Sequence, residues 1–249
     1  MRLKTFVQLN FLLLFVFWCS PASAQQRIGD VSKKSITYGF VSPNTREGLK
    51  LGDAIKGLRS SEEDQLIRNA RRMGCVAQSE MAAFKSVGSW SDGAEHSVLL
   101  RSHTDAPAMR YIISVLGRNA EQKAALYFHS ESSGPAEIYI LRSRRTGPIQ
   151  RLARTLDEAG IEFRTLVPTK ATILVYVVDL KRELGAKVIA AAKKLKARVT
   201  SRRGSAEFIG DDSSREKART LFDNEITEYE SRHADLVTQC GLRHRNFQR

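Results

Sequence analysis

Ala136-Glu-Ile-Tyr-Ile-Leu-Arg142 opens the stretch whose reading decides the fold, and that stretch closes at Ile209. Its β-branched and aromatic residues suit a pleated, half-buried strand. Thr146-Gly-Pro148 then supplies a cap residue and an early proline, the usual start of a helix. Ile149, Leu152, Ala153 and Leu156 follow at helical spacing, and Gly160 ends the run. Ile161 to Val167 reads as a second strand. Ala171 to Val178 contains an unbroken apolar run from Ile173, the pattern of a central strand buried on both faces. Asp179 is a cap candidate for a helix over Leu180 to Lys196, with Leu184, Val188, Ala191, Ala192 and Leu195 on one face. Ala197 to Thr200 and Ala206 to Ile209 read as two short strand pieces around a turn at Arg202-Arg-Gly204.

The resulting order, βαββαβ over about residues 136–209, predicts an α+β fold of ferredoxin-like sandwich type. A fold of that kind hosts many functions and does not select one. The expected organisation is a signal peptide at 1–24, an N-terminal α+β region at 25–133, the ferredoxin-like core at 134–210, and a C-terminal helix with a basic tail at 211–249. The N-terminal region is expected to extend or flank the central sheet. No internal repeat is visible in the residues.

Working toward the N-terminus, Lys123 to His129 alternates like a strand and is expected to form a hairpin with Ile138 to Leu141 through Ser132-Ser-Gly-Pro135. Asp105 to Leu116 fits helix or strand, and its β-branched content favours strand. Ser97 to Arg101 and Ser35 to Val41 read as strands, the latter interrupted by Gly39. Glu80 to Val87 reads as a short helical turn, and Gly88 to Gly93 as a loop around Trp90. Ser60-Ser-Glu-Glu63 has the form of a capping box opening a helix that carries Leu66, Ile67, Ala70 and Met73, with Gly74 as its stop. At the other end, Ala218, Leu221, Phe222, Ile226, Tyr229, His233, Leu236 and Val237 recur at helical spacing to about Thr238.

Arg2 and Lys4, the apolar Phe6 to Trp18, and the small residues Ala22-Ser23-Ala24 have the layout of a secretory signal cleaved after Ala24. The apolar run falls short of the about 20 residues that a span needs, and no later segment is long enough. The mature chain is therefore expected to be secreted or periplasmic, without a transmembrane span. Removing Cys19 with the signal leaves Cys75 and Cys240, an even pair in an oxidising compartment, so a disulfide is expected.

The whole chain carries 40 basic and 27 acidic residues, a net +13. That balance favours anionic partners, an anionic polymer or lipid head groups, without choosing between them. From Lys181 to Arg203 nine basic residues stand against one acid, Glu183. Lys187, Lys193, Lys194, Arg198 and Arg202 are the anion-binding candidates within that run. No aromatic residue interleaves with these lysines, which argues against a single-strand stacking platform, and counterion release reads no sequence. Two plainer readings compete: a solvated helix face, or neutralisation by the terminal segment Asp211 to Asp235, with its eight acids and four bases. Arg142, Arg144 and Arg145, before a predicted helix start, form a second anion-binding candidate.

His96, His103, Asp105, His129 and Glu131 are the one dense group of acid–base or metal-ligand types. Converging, the three histidines could hold a zinc with an open position for hydrolysis. Their spacing matches no recognised motif such as HExxH, and ordinary loop histidines are the alternative. No GxSxG elbow or CxxC pair is present, and no cofactor is implied. The leading expectation is a non-enzymatic binding or adaptor protein with a basic surface. A histidine-based hydrolase and an assembly protein pairing through a sheet edge are the alternatives.

Overall fold

A computed structural model describes residues 36–43, 49–50, 53–54, 62–90, 93–130, 134, 136–143, 151, 154–155, 158, 163–166, 172–179, 182–196, 198–211 and 213–242. For 62, 88–90, 93, 141–143, 163–166, 172–179, 182–185, 187 and 188 the description is of the backbone alone. The expected signal segment and basic tail lie outside these residues, as do Glu131, Arg144 and Arg145.

In chain order the elements are β1 (Thr37–Val41), α1 (Glu62–Arg72), α2 (Gly74–Ala77), β2 (Ala82–Trp90), β3 (Gly93–Ser102), α3 (Ala106–Asn119) and β4 (Ala124–His129). Then come β5 (Ala136–Ser143), β6 (Phe163–Leu166), β7 (Thr172–Asp179), α4 (Arg182–Lys194), β8 (Arg198–Gly210), α5 (Arg215–Arg232) and α6 (Ala234–Gln239). Arg151, Arg154, Thr155 and Glu158, between β5 and β6, are also helical. The protein is thus α+β, and its strands form one antiparallel sheet that curls into a closed barrel in the order β1-β3-β2-β6-β7-β5-β8-β4.

The order of the first four strands, β4-β1-β3-β2, recurs in the last four as β8-β5-β7-β6. The repeat that the sequence does not display is therefore present in the topology. The two sets meet at two antiparallel seams. One pairs Ala124 with Gly210 through His129 with Ser205, and the other pairs Ser86 with Leu166 through Ser89 with Phe163.

Side-chain alternation divides the core. Tyr38, Phe40, Leu99, Leu126, Phe128, Ile138 and Ile140 form a cluster built from strand residues, which marks the inner face of the barrel. Residues of the opposite parity, among them Val41, Val98, Leu100, Ala125, Tyr127 and Ile209, pack outward against α1, α3 and α5. Gly39 faces that way as well. A Cβ there would collide with Ile113 Cγ2, so its missing side chain lets α3 lie on β1.

Several local expectations are corrected. Residues 106–119 are helix rather than strand, because Asp105 caps Ala108 N at 2.9 Å and Pro107 sits in the first turn. Nine residues from Ala108 to Gly117 are buried, since α3 is covered by sheet on one side and α5 on another, so no polar face reveals its period. Residues 82–90 are strand, paired with β3 along their whole length, rather than helical turn and loop. Lys123–His129 does not pair with β5, because β8 lies between them and bonds to both. The connection crosses β8 where Gly134 lies so close to Gly204 that a Cβ would strike the Gly204 carbonyl group. Gly204 makes no turn either: β8 runs unbroken, and a Cβ at 204 would strike the His129 carbonyl oxygen of β4. Finally, Gly74 starts α2 instead of ending the helical region, and the terminal helix breaks at His233.

Ala218, Phe222, Ile226 and Tyr229 bury the inner stripe of α5. Phe222 fills the space over Gly117 of α3, where a Cβ would lie 3.0 Å from its ring. Cys75 in α2 and Cys240 after α6 are disulfide-bonded, with Cα atoms 5.7 Å apart. The bond closes a 165-residue separation and pins the chain end to the front of the molecule. Replacing both cysteines by serine should lower stability by about 2–4 kcal/mol, or roughly 5–15 °C in melting temperature. Thermal unfolding by circular dichroism checks this, and an unchanged midpoint would contradict it.

Candidate functional site

The basic run divides between a helix end and a strand. α4 packs on β8 and β5, with Ala192 buried and Ala191 and Leu195 half-buried on the packed side. Lys193, Lys194 and Lys196 project into solvent, as does Arg198 at the start of β8, while Arg202 is half-buried. The backbone of Lys187 lies one turn and a half earlier in the same helix. Lys196 closes the helix with φ +54°, the left-handed conformation more often given to glycine. Positive charge here also complements the negative end of the helix dipole.

The acidic terminal helix does not lie against these lysines through the contacts it displays; Asp223, Glu225 and Glu230 bind side chains of α3. Glu225 takes a two-pronged grip on Arg110: Arg110 Nε donates to Oε2 at 3.0 Å, and Nη2 donates to Oε1. Glu207 of β8 also accepts from Arg110. Arg118 Nε donates to Asp223 at 2.6 Å. Tyr111 donates its hydroxyl proton to Glu230 at 3.1 Å, and Arg232 holds Glu228 at 2.7 Å. The hydrogen bond from Arg110 to Glu225 raises the proton affinity of Arg110 against the opposing effect of its burial. Among the described residues, Lys193, Lys194 and Lys196 form no ion pair with a carboxylate. Arg142 stands in β5 directly opposite Arg198. Arg144 and Arg145 lie outside the described residues.

The histidines occupy different settings. His96 is buried beneath α1: its Nε2 lies 2.8 Å from the Ala54 carbonyl oxygen, and its Nδ1 is 2.7 Å from Glu63 Oε1. A carbonyl only accepts, so Nε2 is assigned the proton. The Nδ1–Glu63 contact has ion-pair distance without aligned hydrogen-bond geometry. Lys85 completes the group, 3.9 Å from Glu63 and 3.0 Å from Asp64. Glu63 is therefore a buried charge partner of His96 and Lys85, which its position in the sequence could not show; Ser60 and Ser61 of the expected capping box lie outside the described residues. His103 is exposed just past the end of β3, and His129 is half-buried at the end of β4. The register sets Ser102, Thr37 and His129 side by side, bringing His103, His129 and the capping Asp105 toward one end of the sheet and leaving His96 near the other. Among the described residues no group of three His, Cys, Asp or Glu side chains could hold a metal ion. No described helix is long and apolar enough to cross a membrane. In comparisons with known proteins, the chain matches no family model and no curated protein.

Two predictions test this geometry. Glu63→Ala would strip the carboxylate from buried His96 and half-buried Lys85, at a cost of about 3–5 kcal/mol, and replacing Glu63 and His96 together by apolar residues should recover much of the loss. Urea unfolding of both variants measures this; equal losses would show that the pair is not coupled. The second concerns pH. Tyr229 is pushed up to about 12 by burial, with Asp105 adding repulsion, and Tyr111 is raised by burial and then by Glu230. Tyrosine in an unfolded chain titrates near about 10. The folded state therefore holds these protons more tightly, so stability is full below about pH 10 and declines as pH rises toward 12. Melting temperatures across that range should fall, and Tyr229→Phe should flatten the fall; an unaltered slope would contradict the assignment.

Proposed function

We infer that this is an extracytoplasmic, non-enzymatic binding protein that holds an anionic polymer on the surface formed by the end of α4 and the start of β8. The observation that carries this reading is the engagement of Glu225 and Asp223 of the terminal helix with Arg110 and Arg118, while Lys193, Lys194, Lys196 and Arg198 stand open to solvent. Four cations within six residues attract a polyanion by displacing its counterions. The signal-like segment at 1–24 and the Cys75–Cys240 bond support export to an oxidising compartment. The strand order β8-β5-β7-β6, with crossovers between β5 and β6 and between β7 and β8, supports a ferredoxin-like unit over 136–209.

The hydrolase reading has less behind it, since both ring nitrogens of His96 face protein partners at hydrogen-bond or ion-pair distance. Assembly through an open sheet edge also lacks a basis, because every described barrel strand has a neighbour on each side.

The test is retention on a heparin column. The protein should bind in low salt and elute as salt rises. Lys193→Gln, Lys194→Gln and Lys196→Gln together should lower the elution salt markedly and reduce the slope of log affinity against log salt by about 2–3. An unchanged elution position and slope would mean that these lysines are only a solvated face.

A further inference from the structure

The two sets of four strands differ on the inner face of the barrel. In the first set, β1 and β4 oppose Tyr38 to Phe128 and Phe40 to Leu126, and all four are buried. The matching strands of the second set, β5 and β8, oppose Ile138 to Arg202, Ile140 to Thr200, and Arg142 to Arg198. Ile138 and Ile140 belong to the inner cluster, and residues directly opposed across a ladder share a face. Thr200 and Arg202 are therefore inner-face residues, and the two-residue period of the strand adds Arg198. Where the first set fills the barrel with aromatic rings, the second presents cations. Thr200 and Arg198 are exposed and Arg202 is half-buried, so this part of the inner face is reached by solvent.

The unpaired charges at this place call for an anion, and the register sets position 142 of β5 opposite Arg198. Arg203, of the other parity, is held by Glu137 at 2.9 Å, whereas Arg198 and Arg202 form no ion pair among the described residues. The same register row continues through Ile173 and Leu166 to Ser86 and Ser97. Those two hydroxyls are fully buried and 2.5 Å apart.

We propose that the inner face of β8, through Arg198, Thr200 and Arg202, is a binding site for a small molecule bearing a phosphate group. Guanidinium groups offer paired N–H donors that match phosphate oxygens, and a threonine hydroxyl between them adds a further donor. The site shares Arg198 and the sign of the partner's charge with the functional reading above; it uses the inner face of β8 rather than the lysines of the helix surface.

Pyrophosphate titrated into the full mature chain by isothermal calorimetry is the test. Saturable one-to-one binding is expected, weakened at least tenfold by Arg198→Gln and changed less than twofold by the triple lysine-to-glutamine variant. That pattern separates the two surfaces, because the heparin result depends on the lysines. Circular dichroism confirms folding. Should Arg198→Gln fail to fold, Arg198→Lys, which keeps the charge but loses the paired donors, should still weaken binding about tenfold. Absence of saturable binding, an arginine variant that binds as wild type, or equal loss in the lysine variant would each overturn the proposal.

Discussion

The six-residue ladder between β4 and β8 is the contact on which the rest of the architecture depends. It is one of the two seams that join the first set of strands to the second, and without it the barrel would be an open sheet with two bare edges. Its construction needs glycine at Gly204, where β8 passes under both the His129 carbonyl and the crossing chain at Gly134. Closure then gives every described residue of the sheet an inside or an outside. The inside of the first set is packed with rings, and the outside carries the helices.

On that outside, the arrangement of charge follows from packing rather than composition. α5 buries Phe222 and Ile226 against α3, and once it lies there, Glu225 and Asp223 meet Arg110 and Arg118. Apolar burial thus directs where the acidic helix spends its carboxylates. α4 packs its alanine-rich side on β5 and β8, and its last turn has lysines pointing to water. A charged group in water costs little, while an unpaired ammonium inside would cost more than the fold's marginal stability.

Most strand and helix identities from Ala136 onward were legible because those segments have one dominant period or one unbroken apolar run; β8 has neither and was read as two pieces around Arg202-Arg-Gly204. The pairing of Cys75 with Cys240 was legible from the even cysteine count left once Cys19 is set aside with the expected signal segment. The front half was harder for a physical reason. α3 is buried over most of its circumference, so Ile112, Ile113, Val115 and Leu116 read as β-rich instead of amphipathic. Gly39 and Gly204 look like strand breakers, yet each marks a place where another chain segment comes close. Strand pairing was not legible at all, since nothing local tells β4 to pair with β8 rather than with β5. The basic candidates were visible as a run, but their separation into a helix surface and an inner strand face needed the register. The Glu63–His96 contact joins residues 33 positions apart in sequence and leaves no spacing signature.

The central claim is that the acidic helix is held by α3 while the end of α4 stays open to an anionic polymer. Amide chemical-shift mapping of the isotope-labelled mature chain, titrated with a short heparin oligosaccharide in low salt, tests it most directly. Shifts should gather over residues 193–202 and leave 215–232 unmoved. Shifts centred on 215–232, or on a surface remote from α4, would contradict the account.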